Sequence, residues 1–154
     1  MDKIELISCD GSESDFLSLR NIHAASMKKS IISSLGEWND DIQKDRLRKK
    51  FLEHTEALKF LVVNGVKVGT IKCYIKNFED GKYGYVEQFY IVPKFQQKGL
   101  GYKMIKEFLI KEFFNQKIRF YALNSKESLA YIRKKNCEIY KIDNKVTYFQ
   151  WLVS

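Results

Sequence analysis

Two apolar runs, Leu58 to Val63 and Val66 to Ile75, meet at Asn64-Gly65. Asn and Gly both tolerate positive φ, which a tight type I′ turn requires, so the pair predicts two antiparallel strands joined at that point. Residues 77 to 84 (NFEDGKYG) read as a second turn, and Tyr85 to Val92 as the next strand. The middle of the chain is therefore expected to hold a meander of three strands, at roughly 58–63, 66–76 and 84–92.

The next segment departs from that antiparallel pattern. After Pro93 and a glycine-containing loop, a helix is expected from about Gly99 to Phe114, with Leu100, Met104, Ile105, Phe108, Leu109 and Phe113 on one face. Ile118 to Leu123 then reads as a strand. A strand–helix–strand step returns the chain parallel to its start through a right-handed crossover. Upstream, residues 3 to 8 form a strand candidate, and Ser12-Glu13-Ser14-Asp15 caps a helix to about Ser34 that ends at Gly36. Asp40 or Asp41 is expected to cap a second helix to about His54, with Leu47 and Phe51 on its inner face. Downstream, Ser125 to Lys135 reads as a helix, and Cys137 to Lys141 and Val146 to Val153 as strands. The order β-α-α-β-β-β-α-β-α-β-β describes an α/β (α+β) fold with a mixed, mostly antiparallel central sheet and helices on both faces. At 154 residues the chain is expected to form one domain, residues 1–154.

Composition narrows the function classes. Eleven Phe, nine Tyr and two Trp provide ample core material, which argues against disorder. The net charge of +8 could attract nucleic acid, an anionic membrane or a phosphate-bearing small molecule. Lys and Arg are scattered, however, and the densest run, Arg46 to Lys50, reads as a solvated helix face. Cys9, Cys73 and Cys137 lack any ligand spacing and read as buried thiols in a reducing compartment. No His/Cys/Asp cluster supports a metal, and His23 and His54 sit amid ordinary surface patterning. No signal-like or membrane-length apolar run is visible, so a cytoplasmic protein without membrane partners is expected.

The chemistry-bearing segment is Gln97 to Tyr102. A helix N-terminus has unpaired N–H groups and partial positive charge, and glycines in the preceding loop allow phosphate to approach them. Gly99 and Gly101 leave that approach clear, and Lys98 and Lys103 add charge, so a pyrophosphate is the natural guest. A Rossmann or P-loop start normally opens its domain with a parallel β-α-β unit, whereas this loop follows a meander and lacks the Walker lysine spacing.

The stretch Val86-Glu87-Gln88-Phe89-Tyr90-Ile91-Val92-Pro93-Lys94-Phe95-Gln96-Gln97-Lys98-Gly99-Leu100-Gly101 resembles the acetyl-CoA-binding strand, bulge and loop of the GNAT superfamily of N-acetyltransferases. The element order is similar over nearly the whole chain. The resemblance implies phosphate binding at Gln96, Gln97, Lys98, Gly99, Leu100, Gly101 and Tyr102. It also implies a pantetheine arm held by main-chain groups of Phe89 and Ile91, beside Tyr90. Family members often carry Arg where this chain has Gln96. A further family feature is Asn after the next strand, followed by a helix with an inward Tyr, which falls on Asn124 and Tyr131. Aligning the family ending Tyr-x-x-x-Gly-Phe on Asn136-Cys137 places Ile132, not Tyr131, at the tyrosine position.

Acetyl transfer from acetyl-CoA to an amine requires the amine to lose a proton, since an alkyl amine is almost wholly protonated near neutral pH. Glu87, early in the cofactor-pairing strand, is the candidate base; burial would raise its pKa toward a useful value, and pairing with a lysine is its alternative role. A strand N–H near Phe89 is the candidate donor to the oxyanion. Tyr131 is the candidate acid, with Tyr140 behind it and helix packing as the alternative. Gly36-Glu37-Trp38-Asn39-Asp40-Asp41, between the first two helices, resembles a Gly-x-Trp-acid segment of a broad GNAT subgroup. It suits either contact with a cationic amine or a staple for the turn.

The expected function is thus an acyl-CoA-dependent N-acetyltransferase that uses acetyl-CoA and no metal, acting on a small-molecule or peptide amine. A non-catalytic CoA-binding module is the alternative. A nucleic-acid binder would need an organised basic face with exposed aromatics. The final strands offer edges through which a homodimer could pair.

Overall fold

The computed structural model describes residues 2–96, 99–113, 116–123 and 137–152. Strand β1 (Ile4–Ser8) leads into helices α1 (Glu13–Leu35) and α2 (Asp40–Leu52), then strands β2 (Leu58–Val63), β3 (Val66–Phe78) and β4 (Gly81–Ile91). Helix α3 (Leu100–Phe113) and strands β5 (Lys117–Leu123), β6 (Glu138–Ile142) and β7 (Val146–Leu152) complete the described elements. The strands form a seven-stranded sheet in the order β1-β2-β3-β4-β5-β7-β6. Among the described strands, only the β4–β5 pairing is parallel. The expected mixed, mostly antiparallel sheet is therefore present. The helix expected at Ser125 to Lys135 lies outside the described residues.

Local chemistry sets the element ends. The Ser12 side chain accepts from the Asp15 N–H at 3.1 Å and caps α1, and Gly36, at φ 88°, closes it. Helix α2 is capped by Asn39, one residue earlier than expected, because Asn39 Oδ1 accepts from the Ile42 N–H at 3.0 Å. Asp40 and Asp41 instead occupy the first turn, where their charge suits the helix dipole. The turn after β3 is also tighter than the sequence implied. Phe78 pairs with Gly81, so the ladder continues to a two-residue connection at Glu79-Asp80. Packing of Phe78 on Tyr83, with ring centroids 5.6 Å apart, extends both strands into a stretch whose polar composition reads as loop.

Helices cover both faces of the sheet. Phe16, Leu19 and Ile22 of α1 and Leu47 and Phe51 of α2 pack on Leu58, Phe60 and Val62. Phe108 and Phe113 of α3 pack with Leu61, Val63, Ile71, Val86, Ile118 and Phe149 on the other side. Alternation along β2 divides its residues between the two cores. Cys73 is buried, whereas Cys9 and Cys137 are only half-buried, contrary to the expectation of three buried thiols. Among the described residues, no helix is long and apolar enough to cross a membrane.

Candidate active site

Two irregularities in β4 shape the site. Between Glu87 and Tyr90 the register with β3 slips, with Lys72 opposite Glu87 and Thr70 opposite Tyr90, so β4 carries one extra residue. Gln88 takes the bulge conformation at φ 52°, uncommon for a residue with a side chain, and its carbonyl accepts from Thr70 Oγ1 at 2.6 Å. The second irregularity is the short pairing with β5, confined to Gly84 with Ile118 and Tyr85 with Arg119. At Gly84 a Cβ would lie 2.8 Å from Ile118 and 3.1 Å from Phe113, so a side chain there would push the two strands apart. Beyond Tyr85, no described strand pairs with the β5-facing edge of β4, so the main chain beside the bulge has no ladder partner among the described strands on that side.

Glu87 lies just before the bulge and is 3% exposed. Its Oε2 is 3.4 Å from Lys50 Nζ, and its Oε1 accepts from the Tyr74 hydroxyl at 3.3 Å. Burial and the adjacent carboxylate push the Tyr74 pKa up, so its hydroxyl keeps its proton to donate. The Tyr74 ring stacks on His54, with centroids 3.8 Å apart. Lys72, opposite Glu87, is fully buried. Its ammonium donates to the carbonyls of Lys50 and Glu53 at the end of α2, satisfying acceptors that a helix terminus leaves open. Burial lowers the Lys72 pKa, with Glu87 acting in the opposite sense.

The opposite wall is aromatic. Trp38 donates its indole N–H to Asp40 and lies 5.6 Å from the buried His23, which in turn lies 4.8 Å from Tyr90 on β4. Burial pushes the His23 pKa down to about 4, so it is neutral at pH 7. The segment between α1 and α2 is thereby tied to the strand expected to hold the cofactor. Contrary to the surface patterning assumed from sequence, His23 is core and His54 is a stacking partner. On β5, the partly exposed Tyr121 lies between Tyr85 and Tyr148, each with its ring centroid 6.3 Å away.

The other anticipated residues divide between placed and undescribed. Phe89 and Leu100 pack against the α3-side core. Gln96 Nε2 donates to the Ile91 carbonyl at 2.7 Å, so these two cofactor candidates bond each other in this state. Gly99, at φ 74°, accepts from the Lys103 N–H and opens α3, whose first turn contains Leu100, Gly101 and Tyr102. Among the described residues, an added Cβ at Gly99 would meet nothing within 4 Å. Gln97, Lys98, Asn124 and Tyr131 lie outside the described residues.

The residues present fit a CoA-type ligand. The bulge leaves the Gln88 carboxamide buried, with neither its oxygen nor its nitrogen hydrogen-bonded among the described residues, and a pantetheine arm carries amides. The open first turn of α3 offers N–H groups for phosphate. Among the described residues, no group of three or more His, Cys, Asp or Glu could hold a metal. Sequence reasoning missed Lys50, Lys72, Tyr74 and Tyr121. The only signal available was a lysine and a tyrosine of β3 at positions in phase with Glu87's face.

A model of the acetyltransferase (GNAT) family matches residues 17–136, and the chain belongs to that family. No curated protein sequence matches significantly. Among solved structures, the chain is similar to an acetyltransferase from Thermus thermophilus, at 12% identity and a TM-score of 0.72, covering 97% of each chain. It is also similar to the PaiA N-acetyltransferase of Thermoplasma acidophilum, solved with coenzyme A, at 13% identity and a TM-score of 0.70, covering 97% of this chain and 99% of that one. Naa50 of Arabidopsis thaliana, in complex with the bisubstrate analogue CoA-Ac-MVNAL, shares 15% identity with a TM-score of 0.59, over 96% of this chain and 97% of that one. At these identities the likeness concerns the fold.

Proposed function

We propose that residues 1–154 form one N-acetyltransferase domain that transfers the acetyl group of acetyl-CoA directly to a primary amine while both substrates are bound. The observation that carries this reading is the buried Glu87 carboxylate beside the bulge, at the point where β4 and β5 part. Acetyl-CoA supplies the activated acyl group. The first turn of α3, with Gln97, Lys98 and Gly99, holds its phosphates, and Asn124 and the main chain of Phe89 to Ile91 orient its arm. Glu87 takes the amine's proton, and a main-chain N–H at the bulge donates to the carbonyl oxygen as charge develops there. Tyr131 is the proposed acid.

Tyr121 is a second candidate for the acid. It sits on the part of β5 that no longer pairs with β4, and burial holds its pKa up, so its hydroxyl remains protonated at neutral pH. The protein is read as cytoplasmic, a compartment in which acetyl-CoA is available. The sheet ends on β6, where exposed Ile139 and Ile142 mark the edge for pairing with a second copy. Analytical ultracentrifugation tests this, and a monomer at every concentration refutes it.

The test of function is thermal-shift titration with acetyl-CoA, followed by thiol release over a panel of amines, amino acids and peptides. Stabilisation that grows with acetyl-CoA concentration and thiol release that depends on the amine are expected. Absence of stabilisation rejects the proposal, and stabilisation without transfer to any amine leaves a CoA-binding module. Tyr131→Phe and Tyr121→Phe, assayed side by side, identify the acid by which one lowers kcat.

A further inference from the structure

We propose that Lys50 is itself an acceptor, so that the protein acetylates its own Lys50 side chain. This inference rests on the acetyl-transfer reading above. An acceptor amine must come within reach of a Glu87 oxygen to surrender its proton. Lys50 Nζ already stands there, 3.4 Å from Oε2, while the other oxygen is taken by Tyr74. The two side chains differ sharply in exposure, 46% for Lys50 and 1% for Glu87. The amine thus reaches the buried carboxylate from the solvent side, as an external acceptor would.

The second lysine nearby explains why the first is well placed. Lys72 spends its ammonium on two main-chain carbonyls, one of which belongs to Lys50. The root of the Lys50 side chain is thereby pinned to the sheet, while its half-exposed tip lies between Glu87 and Glu53, the latter at 4.0 Å. A tethered amine has a high effective concentration at its target, which favours its reaction over that of a dilute acceptor. The bulge at Gln88, where the acyl group is read to lie, is the next residue after Glu87.

In the proposed step, Glu87 takes a proton from Nζ, and the freed lone pair forms a bond to the thioester carbonyl carbon. The carbon–sulfur bond breaks. Of the two protons Nζ gives up, one passes through Glu87 to solvent and the other ends on the departing sulfur, giving CoA thiol. The product is a neutral amide that no longer pairs with Glu87.

The test incubates the full chain with carbon-13-labelled acetyl-CoA and no added amine, and follows intact mass and peptide mass over time. A single acetyl group on Lys50 is expected, with a rate constant independent of protein concentration. It should be lost in Lys50→Arg and fall about a hundredfold in Glu87→Gln, within the range a general base contributes. Lys49→Arg, at the neighbouring exposed position, should leave it unchanged. Equal labelling of Lys49 and Lys50, an undiminished rate in Glu87→Gln, or a rate that rises with protein concentration overturns the inference. Thermal shift on the same samples separates the two levels of failure. Stabilisation by acetyl-CoA with Lys50 unlabelled overturns self-acetylation alone, whereas absence of stabilisation overturns the acetyl-transfer reading as well.

Discussion

The two faces of the central sheet use alternate residues of the same strands for opposite purposes. Toward α3, the strands present Val68, Ile71, Cys73, Val86, Ile118, Phe120 and Phe149, with Lys59 at the margin over the Phe108 ring. Toward α1 and α2, their alternate positions present Thr70, Lys72, Tyr74, Glu87, Arg119 and Gln150. Each of these polar groups has a partner. Arg119, for example, makes two bonds to Asp80 and one to Gln150, and stacks on Tyr83 at 3.8 Å. Pairing a buried charge offsets its desolvation without surpassing what an apolar side chain would contribute there. The α3 face is thus almost wholly apolar, whereas the face bearing Glu87 combines the apolar cluster around Leu58, Phe60 and Val62 with buried ionisable groups, which the proposed function assigns to chemistry.

That division predicts different signatures for substitutions on the two faces. The largest stability effect should come from the α3 face. Ile71→Ala removes a fully buried side chain and should cost about 2–5 kcal/mol in urea unfolding, with turnover per folded molecule unchanged. Activity that falls faster than the folded fraction would show that Ile71 also supports the site.

Next comes the pH dependence of His23 on the other face. Its folded pKa of about 4 lies below the ordinary 6.5, so between these values the unfolded chain binds a proton that the fold refuses. Stability should therefore fall as pH drops from 6.5 toward 4. At 1.36 kcal/mol per pH unit the full gap amounts to roughly 3 kcal/mol. Unfolding at pH 7 and pH 4.5, wild type against His23→Gln, measures it; equal pH slopes would show that His23 titrates normally.

Lys72→Met keeps the side-chain stem and orphans two carbonyls, for an expected loss of about 1–3 kcal/mol in chemical denaturation. A more stable Met variant would mean that this cation serves only the site. The smallest effect belongs to the solvent-screened Arg48–Glu13 pair, where Arg48→Ala should change stability little beyond the lost packing on Phe16. A double-mutant cycle with Glu13→Ala checks this, with a coupling close to zero expected.

Legibility in the sequence followed the same division. The Asn64-Gly65 turn sits between β2 and β3 as expected, and the crossover through α3 gives the parallel pairing, because both are written in local residue chemistry. The bulge was not readable position by position. The family resemblance implied a bulge in this stretch, but one extra residue in Val86-Glu87-Gln88-Phe89-Tyr90-Ile91 leaves no mark on composition, and the ladder with β3 fixes its position. Glu87 was singled out as a candidate through family resemblance, but the side chains around it were not. Lys50 lies thirty-seven residues away on a helix that read as a solvated face. Lysine usually keeps its charge in water, so nothing marked Lys72 as buried; its acceptors are backbone carbonyls without a side-chain signature.

Glu87 is proposed to serve the chemical step rather than the fold or cofactor binding. Single-turnover transfer from acetyl-CoA to an accepted amine, compared between wild type and Glu87→Gln and paired with acetyl-CoA affinity by calorimetry, tests it most directly. The prediction is unchanged affinity with transfer slowed about a hundredfold or more in the variant. Equal transfer rates in the two proteins would contradict it.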